Sequence, residues 1–248
     1  MTDLILHALD QGLLTLTLNR PDKLNALNAE MYRQLGERLM AAEQDPQIEV
    51  ILITGGSSCF SAGNDLHDFL DNPPEDREHP VFRLMRVVLG LRKPLIAAVN
   101  GPAIGIGTTL LLHCDQVVVS KGAKLRMPFA PLGLCPEFGS SLLLPRLLGH
   151  VRAARLLLGN EALNGQQAVD WGLASEVHED GDACLEAARA LARRWQRMPQ
   201  EALRISKELL KAGDREVLAA VVERESRCFI ERLKTVEARA ALQALVQR

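Results

Sequence analysis

A single carboxylate stands in a stretch of mostly apolar or small residues near the middle of the chain, LGLCPEFGSSLLLPRLLG. This carboxylate is Glu137, which directly follows Pro136. One interpretation is an acid in the first turn of a helix, because proline suits a helix start and a negative charge there favours the helix dipole. The neighbouring Leu134 and Phe138 favour a second interpretation, since a poorly solvated carboxyl has a raised pKa and can act as a general base near neutral pH. Taken alone, the stretch leaves both interpretations open.

Two turns rich in small residues follow predicted strands and could bring backbone N–H groups close to a ligand. SAGND, at 61–65, comes after the strand VILIT, and NGPAIGIGTTLLL, at 100–112, comes after the strand LIAAV. Glycines allow a backbone to approach a ligand closely, so the N–H of Ile106 and a backbone N–H of the SAGND loop could together form an oxyanion hole. SAGND could equally be a simple turn stabilised by its Asn and Asp side chains. The glycine spacing at 100–112 matches neither GxGxxG nor GK[ST], which disfavours a phosphate-binding loop.

The elements that must position these turns predict an α/β fold. Residues 3–8 and 13–18 are separated by DQG and predict a β-hairpin, and Asn28 is suited to cap a helix over 29–44. Strands and helices then alternate, as is typical of parallel strands joined by crossovers. The further predictions are strands at 50–56, 116–120, 124–127 and 174–178, a strand in KPLIAAVNG, a mobile loop at 71–80, a helix near 81–91, and Leu35, Leu39 and Met40 on the apolar face of the first helix.

Beyond residue 139 the chain changes character, because periodic Leu and Ala predict mostly helix. Pro199 separates two of these helices. We therefore predict a core of residues 1–195, which holds the candidate site, followed by a helical C-terminal region of residues 196–248.

The overall composition excludes some classes of function. The net charge is −2 and aromatic residues make up 4% of the chain, so neither a basic field nor a stacking surface points to nucleic acid. We find no secretory signal and no apolar run of the roughly 18 to 20 residues that a bilayer requires, so we expect a cytoplasmic protein without a membrane segment. The cysteines lack framework or metal-site spacing and are expected to be free thiols: Cys59, Cys114, Cys135, Cys184 and Cys228.

Four stretches, in this order, resemble the crotonase superfamily, also called the enoyl-CoA hydratase/isomerase family. They are NRPDKLNALN, ITGGSSCFSAGNDL, KPLIAAVNGPAIGIGTTLLLHCD and MPFAPLGLCPEFGSSLLLPRLLG, and the later EALNGQQAVDWGLASEVH extends the resemblance. The resemblance implies a spiral of repeated ββα units with a helical C-terminal region that takes part in trimer formation. It also implies an acyl-CoA thioester as substrate, no metal or other cofactor, and a homotrimer or a dimer of trimers.

The same resemblance assigns roles to residues. The backbone N–H groups of Asn64 and Ile106 would hold the thioester oxygen while an enolate forms. Residues that would line the acyl-CoA path are Lys23, Leu24, Ala26, Ala62, Gly63, Asp65, Leu66, Gly105 and Gly107. The acyl pocket is expected to include Phe82, Leu84, Met85 and Phe129.

Two departures from the family pattern bear on the reaction. Hydratases of the family carry two glutamates, and the matching positions here are Thr109 and Phe129. Neither side chain can act as a carboxylate acid or base, which disfavours a conventional hydratase. Glu137, in CPEFGSS, matches the single glutamate of the peroxisomal-type 3-enoyl-CoA to 2-enoyl-CoA isomerases, which lies in a stretch similar to SPEGCSS.

The expected reaction is therefore the isomerisation of a 3-enoyl-CoA to trans-2-enoyl-CoA in fatty-acid or related acyl-CoA degradation. Glu137 would remove a proton from C2 and return it at C4, a task for which one carboxylate suffices. Three alternatives stay open: an isomerase of aromatic degradation, an enoyl-CoA hydratase, and an acyl-CoA-binding protein without catalytic activity.

Overall fold

The computed structural model describes residues 3–56 and 58–247. Its strands are β1 (Ile5–Asp10), β2 (Leu13–Leu18), β3 (Val50–Thr54), β4 (Leu95–Val99), β5 (Ala103–Ile104), β6 (Gln116–Ser120), β7 (Lys124–Arg126), β8 (Ala162–Asn164) and β9 (Glu176–His178). They form a six-stranded sheet of order β1-β2-β3-β4-β6-β9 and a three-stranded sheet of order β5-β7-β8.

Helices surround the two sheets and make up most of the second half of the chain. They are α1 (Ala29–Gln44), α2 (Leu66–Asp71), α3 (Pro80–Gly90), α4 (Ile106–Thr109), α5 (Ser140–Leu148), α6 (His150–Leu157), α7 (Gly165–Asp170), α8 (Gly181–Gln196), α9 (Gln200–Ala212), α10 (Arg215–Leu233) and α11 (Val236–Val246). Short 3-10 helices occupy Pro21–Lys23, Leu110–His113 and Ala130–Leu132. Among the described helices, none has both the length and the apolar character needed to cross a bilayer.

The predicted hairpin is confirmed: β1 and β2 pair antiparallel, with Leu9 opposite Leu14. Gln11 and Gly12 both have positive φ, at 48° and 88°, which is the backbone that a tight two-residue hairpin turn requires. From β2 onwards the large sheet is parallel through β3, β4, β6 and β9. Every residue of β3 and β4 is buried, because helices cover both faces of a parallel sheet. One covering layer includes α1 and α3, and α8 packs on the other face.

Helix α1 begins and ends at the predicted residues. The Asn28 side chain caps it by accepting a hydrogen bond of 2.9 Å from the N–H of Met31. Leu35 and Leu39 are buried as predicted, but the prediction for Met40 is wrong, since its side chain is 52% exposed. One residue corresponds to about 100° around a helix, so Met40 faces away from the layer that receives Leu39.

The sequence analysis missed two short strands, β5 and β8. They contain two and three residues, and neither is long enough to show the alternation that identifies a strand. The strand predicted at 174–178 is confirmed by β9, which pairs parallel with β6. Pro199 stands at the start of α9 and separates it from α8, as predicted.

Candidate active site

The two small-residue turns lie side by side at one edge of the large sheet. Strands β3 and β4 are parallel neighbours, so the loops that follow them leave the sheet at the same edge. Ser61 and Ala103 form a parallel bridge between these loops, and the N–H of Ile104 donates to the carbonyl oxygen of Ser61 at 2.9 Å. The sheet order therefore brings together two segments that are about forty residues apart in the chain.

Glycines allow the close approach of the two loops. Gly63 has φ of +92°, and a Cβ atom there would lie 2.8 Å from the carbonyl oxygen of Ile104. Gly105 has φ of +55°, and a Cβ atom on Gly107 would lie 3.0 Å from the Cβ of Ser61. A larger residue at Gly63 would both strain the backbone and push the loops apart.

The backbone N–H groups of Asn64 and Ile106 have no protein acceptor in the described part of the chain. The N–H of Leu27 donates to the carbonyl oxygen of Gly63, and the carbonyl oxygen of Leu27 accepts from the N–H of Asp65. In this parallel bridge the N–H of Asn64, which lies between the two bonded residues, is directed away from Leu27. Ile106 is the first residue of α4, where the N–H groups have no intrahelical partner. Two unpaired donors on adjacent loops are what an oxyanion hole requires.

The other residues predicted to line the acyl-CoA path also gather around these loops. The N–H of Ala62 donates to the carbonyl oxygen of Leu24 at 2.9 Å, so the segment containing Lys23 and Ala26 runs beside the first loop. Lys23 and Leu24 are exposed, and Leu66 is half-buried at the start of α2. The structure thus brings the predicted residues into one region, and their contact with CoA stays a prediction.

Asp65 fixes the end of the first loop. Its carboxylate caps α2 by accepting from the N–H groups of His67 and Asp68, and it pairs with Arg20 at 2.5 Å. Burial would raise the pKa of Asp65, but the hydrogen bond from Arg20 and the bonds from backbone amides outweigh it, so the pKa lies below its usual value. Arg20 also donates to the carbonyl oxygen of Ala26, so its ion pair with Asp65 joins the segment that contains Ala26 to the end of the first loop.

Glu137 lies before α5 and not within it, because the helix begins at Ser140 with Gly139 as its N-cap. The interpretation as a first-turn helical acid is therefore wrong. The Glu137 side chain is buried, with 3% exposure. Thr109 donates a hydrogen bond of 2.5 Å to its Oε1 atom, and its Oε2 atom is buried without a hydrogen-bond partner among the described residues.

Burial is the largest influence on the acidity of this carboxyl group. It raises the pKa of Glu137 from 4.5 to about 8, with a smaller contribution from the negative charge of Glu225, while the hydrogen bond from Thr109 lowers the pKa. A carboxyl with a pKa near neutrality can both accept and return a proton at physiological pH. The unpaired Oε2 atom is the oxygen available for that transfer.

One contact and one electrostatic influence connect Glu137 with the unpaired amides. Thr109, which touches Glu137, lies at the end of the short helix that Ile106 begins, about one helical turn away. The Tyr32 hydroxyl donates a hydrogen bond to the Asn64 side chain. Burial, and then the charges of Glu137 and Asp68, raise the pKa of Tyr32 well above its usual value. The carboxyl, the amides and Tyr32 therefore belong to one site.

The sequence analysis missed two of these residues, Tyr32 and Glu225. Tyr32 lies on the buried face of α1, and nothing in its local pattern indicates the contact with Asn64. Glu225 left a signal that could have been used. It lies on α10 between the apolar residues Val222 and Phe229, on the face that packs into the core, where a lone acid needs a partner.

The residues predicted for the acyl pocket are all buried. Phe82, Leu84 and Met85 lie on α3, and together with Phe129 they belong to the main hydrophobic core. Thr109 is completely buried and is hydrogen-bonded to Glu137, so one of the two departures from the hydratase pattern lies directly beside the acid. Which of these side chains meets an acyl group stays a prediction.

Comparison with known proteins identifies the family. The family described as Enoyl-CoA hydratase/isomerase matches residues 8–248. The chain belongs to this family. The predicted α/β crotonase fold is confirmed, and the protein is an acyl-CoA enzyme of the hydratase/isomerase type.

Relatives in this family differ in the reactions that their names give. The chain is 40% identical to the 1,2-epoxyphenylacetyl-CoA isomerase of Escherichia coli over 233 residues, which are 91% of this chain and 88% of that protein. It is 38% identical to human enoyl-CoA delta isomerase 2 over 219 residues, 86% of this chain and 55% of that protein. The solved structure of Pseudomonas aeruginosa OdaA has a TM-score of 0.98 and 51% identity, and the match covers 100% of both chains.

Proposed function

We propose that this enzyme isomerises 3-enoyl-CoA thioesters to trans-2-enoyl-CoA with Glu137 as its single acid-base group. The observation that supports the proposal most directly is the buried Glu137 carboxyl, whose Oε2 atom has no partner in the described residues. The similarity to human enoyl-CoA delta isomerase 2 supports the same reaction class. The Glu137 carboxylate removes a proton from C2, the double bond moves from C3–C4 to C2–C3, and the carboxylic acid returns the proton at C4.

The oxyanion hole supplies the second part of the mechanism. As the C2 proton leaves, negative charge develops on the thioester oxygen, and the N–H groups of Asn64 and Ile106 are positioned to donate to it. One such donor commonly lowers a barrier by about 3 kcal/mol, because it is oriented before the reaction begins. The reaction needs no metal or other cofactor, since CoA is part of the substrate.

Hydration is disfavoured by the residues that stand where hydratases carry acids. Adding water across a double bond requires groups that deprotonate the water and protonate the substrate carbon. Thr109 and Phe129 occupy the two matching positions, and neither can supply a carboxylate. Moving one proton from C2 to C4 needs only Glu137. The same arrangement disfavours a purely binding role, because a buried carboxyl whose Oε2 atom has no partner in the described residues costs stability without aiding the binding of an acyl group.

A second candidate is the isomerisation of a ring-derived acyl-CoA. The specific observation in its favour is the 40% identity to the 1,2-epoxyphenylacetyl-CoA isomerase of Escherichia coli. A ring-derived thioester could place its oxygen on the same two amides and use Glu137 as the acid-base group. They differ in the shape of the acyl group, so a substrate panel separates them.

The oligomer proposed for this enzyme is a homotrimer or a dimer of trimers. Apolar side chains on α9 and α10 support an interface between copies, since Leu209 is 71% exposed, Leu210 87% and Val217 48%. These residues border a groove of about 870 Å³ between the end of α3 and the two helices. Sedimentation velocity of the purified protein would measure the state, and a monomer at micromolar concentration would contradict this assignment.

The experiment that tests the function compares the wild type with Glu137→Gln on 3-hexenoyl-CoA, 3-decenoyl-CoA, crotonyl-CoA and 1,2-epoxyphenylacetyl-CoA. We expect the two 3-enoyl thioesters to be isomerised, and we expect the substitution to lower kcat roughly a thousandfold. Glu161→Gln, which alters an exposed carboxylate paired with Arg155, is the matched control and should retain full activity. Activity of the folded Glu137 variant near the wild-type value, or faster hydration of crotonyl-CoA than isomerisation, would reject the proposal.

A further inference from the structure

A second buried carboxylate lies close to Glu137 and comes from the C-terminal helical region. Glu225, on α10, is 6% exposed. Its Oε2 atom accepts a hydrogen bond of 2.5 Å from the N–H of Gly139, and its Oε1 atom accepts one of 3.0 Å from the N–H of Ser141. The N-cap of α5, Gly139, has no side chain that could cap the helix, so a residue 86 positions further along the chain does so.

The turn held by Glu225 has an unusual backbone. Phe138 and Gly139, directly after Glu137, have φ of +56° and +77°. The left-handed region is costly for a residue such as phenylalanine, so this conformation persists only where surrounding contacts hold it. Substituting Gly139 would be difficult as well, because a Cβ atom there would lie 2.5 Å from the Cδ1 of Leu218 on α10.

Further contacts hold the same turn from the core side. The Nε2 atom of His113 lies 2.7 Å from the carbonyl oxygen of Phe138, and the two rings stack with centroids 4.0 Å apart. The Ser140 hydroxyl donates to the carbonyl oxygen of Glu137 at 2.7 Å. The 3-10 helix that contains His113 therefore supports one side of the turn, while α10 supports the other through Glu225.

We propose that Glu225 is a positioning residue for Glu137, so that acid-base catalysis depends on how α10 packs against this turn. Through Gly139 and Ser141 it fixes the turn that carries the Glu137 backbone, and its carboxylate presents a like charge to the Glu137 side chain. This inference rests on the proposed function, because it assumes that Glu137 transfers the proton. It adds a role for the C-terminal helices in the chemistry itself.

The charge of Glu225 is significant because the other groups around Glu137 are neutral. Burial raises the pKa of Tyr32, on α1, well above its usual value and that of Cys135, on the same loop, to about 12. Burial lowers the pKa of His113 to about 4. Thr109, on α4, contributes a neutral hydroxyl. Among the described residues that face Glu137, Glu225 is therefore the one whose carboxylate raises the Glu137 pKa by its charge.

Two substitutions separate the positional effect from the effect of charge. Glu225→Gln keeps the shape, removes the charge and loses one of the two hydrogen bonds, because the amide nitrogen that replaces one carboxylate oxygen cannot accept. We expect kcat on 3-decenoyl-CoA to fall roughly tenfold and the ascending limb of kcat against pH to move to lower pH. Glu225→Asp keeps the charge but is one methylene shorter. It should lower kcat by a similar factor while the limb stays closer to that of the wild type.

Glu231→Gln is the matched control, because Glu231 is an exposed residue of the same helix and should leave both kcat and the limb unchanged. Circular dichroism establishes that each variant is folded. If Glu225 were a purely structural cap, Glu225→Gln would have a lower melting temperature, but its kcat would be within twofold of the wild type and the ascending limb of kcat against pH would not move. That result would overturn the inference. If Glu225→Gln does not fold, the Asp variant decides, and kcat within twofold of the wild type overturns the inference.

Failure of this inference differs from failure of the proposed function. An active Glu137→Gln enzyme would remove the proton transfer from Glu137, whatever the Glu225 variants do. An inactive Glu137→Gln enzyme together with unaltered Glu225 variants would leave the proposed function standing and remove only the positioning role.

Discussion

Replacing Glu137 with glutamine should change how the stability of the protein depends on pH. The pKa of Glu137 is about 8 in the folded protein, compared with an ordinary value of 4.5. Between these two pH values the folded state retains a proton that the unfolded chain has released. The wild type therefore loses stability as pH rises from 4.5 towards 8, and it does not lose it below 4.5, where both states are protonated. Glutamine cannot ionise, so the variant lacks this loss.

The magnitude follows from the two pKa values. Each pH unit by which they differ corresponds to about 1.36 kcal/mol, and the interval from 4.5 to about 8 therefore corresponds to about 5 kcal/mol. The free energy of unfolding of Glu137→Gln minus that of the wild type should rise by about this amount between pH 4.5 and pH 8.5. Such a gain, accompanied by loss of activity, is expected where a buried ionisable group serves function at the expense of stability.

Urea unfolding followed by far-UV circular dichroism measures this difference at intervals between pH 4.5 and pH 8.5, with both proteins at one concentration. The control is Glu161→Gln. In the wild type, the hydrogen bond from Arg155 lowers the pKa of Glu161 below 4.5. The pKa of Glu161 therefore lies at or below the lower end of this pH range in both the folded and the unfolded protein, so the difference between control and wild type should be nearly constant across the range. A flat curve for Glu137→Gln would show that the Glu137 carboxyl is solvated and would refute the buried-base reasoning.

Three further substitutions test other parts of the structure. Gly63→Ala should lower kcat at least tenfold while the fold is retained, because φ is +92° there and the added Cβ meets a carbonyl oxygen of the neighbouring loop; wild-type kcat would contradict this. Thr109→Val removes the hydrogen bond that lowers the Glu137 pKa, so the ascending limb of the pH profile of kcat/KM should move to higher pH by about one unit. An unchanged profile would show that this hydrogen bond does not influence the Glu137 pKa. Lys207→Met should reduce the free energy of unfolding by about 3 kcal/mol, since it breaks the buried pair with Asp115 at 2.6 Å, whereas a change below roughly 0.5 kcal/mol would show that the pair is unimportant.

Local chemistry was enough to predict much of the fold. The hairpin of β1 and β2 and the start of α1 at Asn28 depend on neighbouring residues, such as the turn at Gln11 and Gly12 and the hydrogen bond to the N–H of Met31. The buried strands VILIT and LIAAV could be recognised from their apolar runs. The short strands β5 and β8 were missed, because they are defined by pairing with distant β7 and not by their own pattern.

The candidate site divides in the same way. The sequence alone identified Glu137 as an isolated acid, and the family resemblance indicated that the backbone N–H groups of Asn64 and Ile106 together form an oxyanion hole. The sequence of this stretch left open whether Glu137 was an acid at the exposed start of a helix. Only the tertiary structure decided this, because the burial of a side chain depends on what packs over it. Burial contributes most to its raised pKa, and the smaller influences come from the hydrogen bond of Thr109, 28 residues before it, and from the charge of Glu225 on α10. A pattern of neighbouring residues contains no information about such distances, whereas the fold fixes them.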